Sequence, residues 1–127
     1  MATVLVIDDD PDVRAVIAEL LTVGGHQVVL AANGDDGIEA QRRRAADIVL
    51  LDLFMPEKDG FETIDALAHV FPGLAIIAMS GGARGMDGSR YLTTADVLGA
   101  TRVLPKPFNG ARLLEVIADV LEPRRAW

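Results

Sequence analysis

Five side chains could work together on a phosphoryl group or a metal ion: the carboxylates of Asp8, Asp9 and Asp52, the hydroxyl of Ser80 and the ammonium of Lys106. Taken singly, each has a plainer role. Asp8 and Asp9 suit a solvated loop, Ser80 a turn and Lys106 a surface position. Asp52 could bind a metal, act as a nucleophile or cap the element that follows it. Gathered within a few ångströms, the carboxylates would repel one another by about 4 kcal/mol per close pair at an effective dielectric of roughly 20. A hard divalent cation relieves that repulsion, and oxygen ligands with positions left for water suit Mg2+. A carboxylate can also attack phosphorus and form an aspartyl phosphate. That transfer needs its developing charge neutralised by a cation on one side and an ammonium on the other, with a hydroxyl free to bond a further phosphoryl oxygen.

The hydrophobic pattern decides whether these groups meet. Thr3 to Ile7 is a short β-branched run, read as a buried strand, and it stops at Asp8-Asp9-Asp10. Asp10 followed by Pro11 is a helix start, an N-cap oxygen and then proline at the first helical position. Val13, Ile17, Leu20 and Leu21 recur with helical spacing until Gly24-Gly25. His26 to Ala32 holds a second strand, and Asn33-Gly34 a turn. A helix follows over about Asp35 to Ala45, with a thin apolar stripe of Ile38, Ala40 and Ala45. Asp47 to Asp52 contains four branched apolar residues in a row and reads as a strand buried on both faces. Phe61, Ile64, Leu67, Ala68 and Phe71 mark a third helix, ended by Pro72-Gly73. Leu74 to Met79 is a fourth strand closed by Ser80. Gly81 to Gly88 is a glycine-rich loop. Tyr91, Leu92, Ala95 and Leu98 mark a helix stopped by Gly99. Arg102 to Leu104 is a short fifth strand, Lys106 follows it, and Leu113 to Leu121 form a last helix ended at Pro123.

Strand and helix thus alternate five times, which predicts an α/β fold with five parallel strands, right-handed crossovers and helices on both faces. No linker or repeat divides it, so residues 1–127 are expected to form one domain. Parallel strands bring their carboxyl ends to one edge, where ligands of open α/β sheets bind. Asp8 and Asp9 lie at the end of the first strand, Asp52 at the end of the third, Ser80 at the end of the fourth and Lys106 just past the fifth. All five should converge in one crevice.

Composition narrows the classes. The chain has no cysteine, which excludes a disulfide framework, a thiolate metal site and a cysteine nucleophile. No apolar run approaches membrane-spanning length, and Met1-Ala2-Thr3 leads straight into Val4 without a secretory pattern. A cytoplasmic protein with no membrane partner is expected. The net charge of −7 should repel nucleic acid. The one dense basic run, Arg42-Arg43-Arg44, reads as a solvated helix end whose charge suits the C-terminal dipole. His26 and His69 lie far from any strand-end acid and are expected at the surface without a role.

The chain resembles a response-regulator receiver domain over nearly all its length. The segments that carry the likeness are Val4 to Asp10, Asp47 to Pro56 with Asp59-Gly60, Met79-Ser80 and Lys106-Pro107-Phe108. The resemblance implies a flavodoxin-like (βα)5 fold with strand order 2-1-3-4-5. It implies that Asp52 accepts a phosphoryl group from a histidine kinase or a histidine phosphotransfer protein and that a surface then switches towards a downstream target protein. It further implies that Asp9 is the principal Mg2+ ligand, that Asp8 acts largely through water, and that the backbone carbonyl of Phe54 joins Asp52 in completing the set. Ser80 and Lys106 would bind phosphoryl oxygens, and the Lys106-Pro107 bond would be cis. Three positions differ from the family's pattern. Val103 stands where an aromatic often takes part in switching, the loop after Ser80 is long, and Phe54 is bulky and apolar. A large apolar Phe54 cannot orient a hydrolytic water, so slow loss of the phosphoryl group is expected. Val103 is too short and stiff to report a movement by rotation, so the readout is expected to run through Gly81 to Gly88 and the helix after it. The chain ends where the receiver ends, and output through another protein, with no output domain, is the expectation.

Three rivals share parts of this pattern. A haloacid-dehalogenase-type phosphatase also uses an aspartate nucleophile and Mg2+, and Asp8-Asp9-Asp10 contains an Asp-x-Asp. Such enzymes need threonine or valine two residues after the second Asp, where this chain has Asp12. A flavodoxin-like redox carrier needs a hydroxyl-rich phosphate loop after the first strand, where three aspartates would repel the flavin phosphate. A receiver-like binding module that works without phosphorylation would have no reason to fill all five polar positions.

Overall fold

The strands β1 (Thr3–Ile7), β3 (Ile48–Asp52) and β4 (Ala75–Gly81) are buried almost throughout, and they form the centre of the sheet. The outer strands β2 (Gln27–Ala31) and β5 (Arg102–Lys106) begin on polar residues and are partly exposed. The computed structural model describes residues 2–55, 60–81, 97 and 99–125, with the side chains of 123–125 left aside. Residues 82–96 and 98, which hold nearly all of the predicted glycine-rich loop and the helix expected at Tyr91 to Leu98, lie outside the described residues, as do 56–59. Within the described residues the helices are α1 (Pro11–Val23), α2 (Gly34–Arg43), α3 (Gly60–Val70) and α4 (Gly110–Arg125). All five strands are parallel, in the order β2-β1-β3-β4-β5.

Alternation along the strands sorts their side chains into two cores. Val4, Val6, Ile48, Leu50, Ile77 and Met79 share one core with Ile17 and Leu21 of α1 and Leu113 and Ile117 of α4. Leu5, Ile7, Val49, Leu51, Ile76 and Ala78 share the other with Ile64 and Leu67 of α3. Each fully buried branched side chain contributes about 1.5–3 kcal/mol. A slip of one residue would exchange the two faces, so this burial fixes where each strand ends.

The helix boundaries follow from their caps. Asp10 accepts from the N–H groups of Asp12 and Val13, with Pro11 at the first helical position. Gly24 and Gly25 end α1, Gly25 at φ 88°, and their N–H groups bond to Leu20 and Thr22. Several boundaries differ from expectation; β4 runs on through Ser80 to Gly81, so Ser80 is not its closing residue. Helix α2 starts at Gly34, capped by Asn33, and ends at Arg43. Ala45 is exposed, and the buried residue is Ala46. Ile38 and Ala40 pack against the core as expected, but the most buried positions of α2 are Gly34, Gly37 and Gln41, where the helix lies so close that a Cβ on Gly37 would overlap Ile7 Cδ1. Strand β5 continues through Pro105, so Lys106 is its last residue rather than one beyond it; an outer strand tolerates the missing donor. Helix α4 runs on through Pro123 to Arg125, since proline in the last turn sacrifices a single hydrogen bond.

Candidate functional site

Asp8 follows β1 and is fixed on three sides. Its N–H donates to Ala31 O at 3.2 Å, its carbonyl accepts from Arg14 Nη1 at 2.7 Å, and its Oδ1 accepts from Asp10 N at 2.9 Å. Its Oδ2 is left buried without a hydrogen-bond partner. That oxygen lies 3.5 Å from Lys106 Nζ, close enough for ion pairing. Asp52 is the last residue of β3 and is buried. Its Oδ1 accepts from Phe54 N at 3.1 Å, and its Oδ2 lies 3.7 Å from Lys106 Nζ. Asp9 is half-buried beside them. One oxygen from each of Asp8, Asp9 and Asp52 lies within 4.8 Å of the others.

Burial pushes the Asp52 carboxyl above the ordinary carboxylate value of 3.8, against the pull of Lys106 and the Phe54 N–H; the nearby Asp8 and Asp9 push it further up. Three carboxylates whose oxygens come this close form a donor set that fits a hard divalent cation, and the buried Asp8 Oδ2 has no hydrogen bond of its own to satisfy it.

Ser80 sits one residue beyond Met79, which pairs with Asp52, and one residue before Gly81, which pairs with Lys106. It is fully buried and its Oγ has no hydrogen-bond partner. Among the described residues, Asp8 Oδ2 and Ser80 Oγ are the buried side-chain atoms left in that condition. Val103 is half-buried against the core shared with α3, in register with Ala78. The Lys106–Pro107 peptide bond is cis.

The structure thus brings Asp8, Asp9, Asp52 and Lys106 together and sets Ser80 at the same edge. It adds groups that residue type and spacing did not indicate. The N–H of Phe54 holds Asp52, while the Phe54 side chain is half-buried against the core shared with α3. Arg14 holds the Asp8 carbonyl. Gly60 opens α3 directly on the backbone of the site. Its N–H donates to Leu53 O at 2.9 Å, and a Cβ there would come within 2.6 Å of Asp52 O. Of these, Gly60 and Phe54 had entered only through the resemblance, and neither for the backbone contact seen here. His69 is exposed, while His26 is half-buried and its Nδ1 accepts from Ala2 N at the far edge of the sheet.

A family model described as the response regulator receiver domain matches residues 4–118. The chain is 34% identical over 129 residues to the transcriptional regulatory protein CpxR of Escherichia coli, covering 100% of this chain and 52% of CpxR, so it spans about half the length of that relative. It is 32% identical over 126 residues to the protein PilH of Pseudomonas aeruginosa, covering 95% of this chain and 98% of PilH. Among solved structures, the chemotaxis protein CheY4 of Vibrio cholerae superposes with a TM-score of 0.82 at 28% identity, over 95% of this chain and 99% of that one.

Proposed function

The chain belongs to the response-regulator receiver family of two-component signalling systems, and from that premise we propose that Asp52 accepts a phosphoryl group from a phosphohistidine donor. The donor is a histidine kinase or a histidine phosphotransfer protein. A carboxylate oxygen of Asp52 attacks phosphorus, the P–N bond breaks, and its electron pair returns to the imidazole nitrogen. The observation that carries this reading is the placement of Asp52, with two further carboxylates within 4.8 Å and Lys106 Nζ at 3.7 Å. Asp8 and Asp9, with Asp52 and the Phe54 carbonyl, would hold Mg2+, which supplies charge neutralisation for the transfer. Lys106 neutralises a phosphoryl oxygen from the other side. Ser80 Oγ, buried and without a partner, has a hydrogen bond to gain from another. The phosphorylated protein then acts by presenting an altered surface to a downstream protein.

Intact mass after incubation with acetyl phosphate and Mg2+ tests the assignment. The wild type gains one phosphoryl group and Asp52→Asn gains none. Equal incorporation in both proteins overturns it, and rapid continuous hydrolysis of the donor indicates a phosphatase instead.

A further inference from the structure

We propose that Arg14 is a positioning residue for the cation site, acting through the peptide that joins Asp8 to Asp9; this rests on the reading of these acids as a Mg2+ site. Arg14 lies in the second turn of α1, and its own N–H makes the helical bond to Asp10 O at 3.0 Å. Its guanidinium turns back past the start of the helix and donates to Asp8 O at 2.7 Å. The choice of partner is informative. Asp9, Asp10 and Asp12 all lie close in sequence, yet among the described residues Arg14 forms no ion pair and spends its donor on a neutral carbonyl. Attraction between opposite charges alone would have taken it to a carboxylate.

That carbonyl belongs to the peptide unit from which Asp9 hangs. With Asp8 N bonded to Ala31 O and Asp8 Oδ1 bonded to Asp10 N, the Arg14 bond completes the fixation of the turn. A fixed turn is what leaves one carboxylate oxygen each of Asp8 and Asp9 together within 4.8 Å of an Asp52 oxygen. Without it, the peptide can rotate, the mutual repulsion of the acids is relieved by their moving apart, and the donor set is lost. Outer partners of this kind are commonly worth about 10–100-fold in metal affinity.

The charge of Arg14 acts in the opposite direction. A cation beside a Mg2+ site weakens binding, so removing it would strengthen binding if charge were its whole contribution. The two roles therefore predict opposite signs. Isothermal titration with Mg2+ in the absence of any phosphodonor should show Arg14→Ala binding about 10-fold more weakly than wild type, with Arg14→Lys in between. Amide hydrogen exchange at Asp9 and Asp10 should be faster in Arg14→Ala. Far-UV circular dichroism checks the fold, and Arg14→Lys carries the comparison if the alanine variant does not fold. Affinity in Arg14→Ala equal to or above wild type overturns the positioning role while leaving the cation reading intact. No Mg2+ binding by the wild type overturns the cation reading itself, and this inference with it.

Discussion

The two edges of the sheet treat their buried polar side chains differently. At the amino ends of β1, β2 and β3, no buried side-chain polar atom among the described residues lacks a hydrogen bond. Thr3 N donates to Asp47 Oδ2 and Asp47 N to Thr3 O, both at 2.8 Å. Gln27 accepts from Arg44 Nη2 at 2.8 Å and from Thr3 Oγ1. Buried Gln41 spans to Ala46, accepting from its N–H at 3.0 Å and donating to its carbonyl at 3.2 Å. Even His26 is used, as an acceptor for Ala2 N. At the carboxyl ends the backbone is equally well held, but the side chains are not. Asp8 Oδ2 and Ser80 Oγ are buried without hydrogen bonds, and burial raises the pKa of Asp52 above the ordinary carboxylate value. One edge finishes the fold; the other leaves two buried side-chain atoms with hydrogen-bonding capacity unused. Consistency is the rule for a folded sequence, and local violations of it mark functional sites.

If the carboxyl edge lacks a cation, supplying one should give the largest change. Mg2+ at about 100 times its dissociation constant should raise the unfolding free energy by about 2.7 kcal/mol, measured by urea unfolding with and without the ion. Unaltered stability would break the comparison. Gln41→Ala at the other edge leaves both polar groups of buried Ala46 unpaired and should cost about 2 kcal/mol, with phosphoryl incorporation unchanged. Asp52→Asn should do the reverse of an ordinary core change. Without cation, at neutral pH, it should stabilise by about 1 kcal/mol, as substitutions relieving a strained site often do.

The pH dependence sharpens that third case. The folded pKa of Asp52 lies above its unfolded value near 3.8, so the folded state binds the proton more tightly. Stability from this group falls as pH rises through that window and is level above it. In Asp52→Asn that fall should disappear from the pH profile of the midpoint. The smallest effect belongs to a pair at neither edge. Arg43 and Glu39 lie 3.4 Å apart on the exposed side of α2, and Glu39→Ala should change stability by less than about 0.5 kcal/mol.

The asymmetry also explains what could be read from the chain alone. Apolar runs mark β1, β3 and β4, and the carboxyl ends of parallel strands share one edge, so the meeting of Asp8, Asp52 and Ser80 at that edge was legible from strand positions alone. In helix α2 the stripe residues Ile38 and Ala40 were legible, but not the close approach at Gly34 and Gly37, whose contribution is nearness, which no hydrophobic count records. Proline misled twice, at Pro105 and Pro123, because its penalty depends on whether the missing N–H had a partner to lose. Arg14, the Phe54 N–H and Gly60 were illegible as site components because each acts on backbone, and a backbone contact leaves no trace in residue type.

The two outer strands differ in a way that bears on the company the protein keeps in concentrated solution. Strand β5 contains Pro105, with Arg102 and Lys106 at its ends, and proline and charge both discourage another chain from adding there. Strand β2 runs Gln27-Val28-Val29-Leu30-Ala31 without proline or charge, and Leu30 is 47% exposed. Self-association through strand addition would therefore have a direction, beginning on β2, and a single lysine at Leu30 would be enough to discourage it.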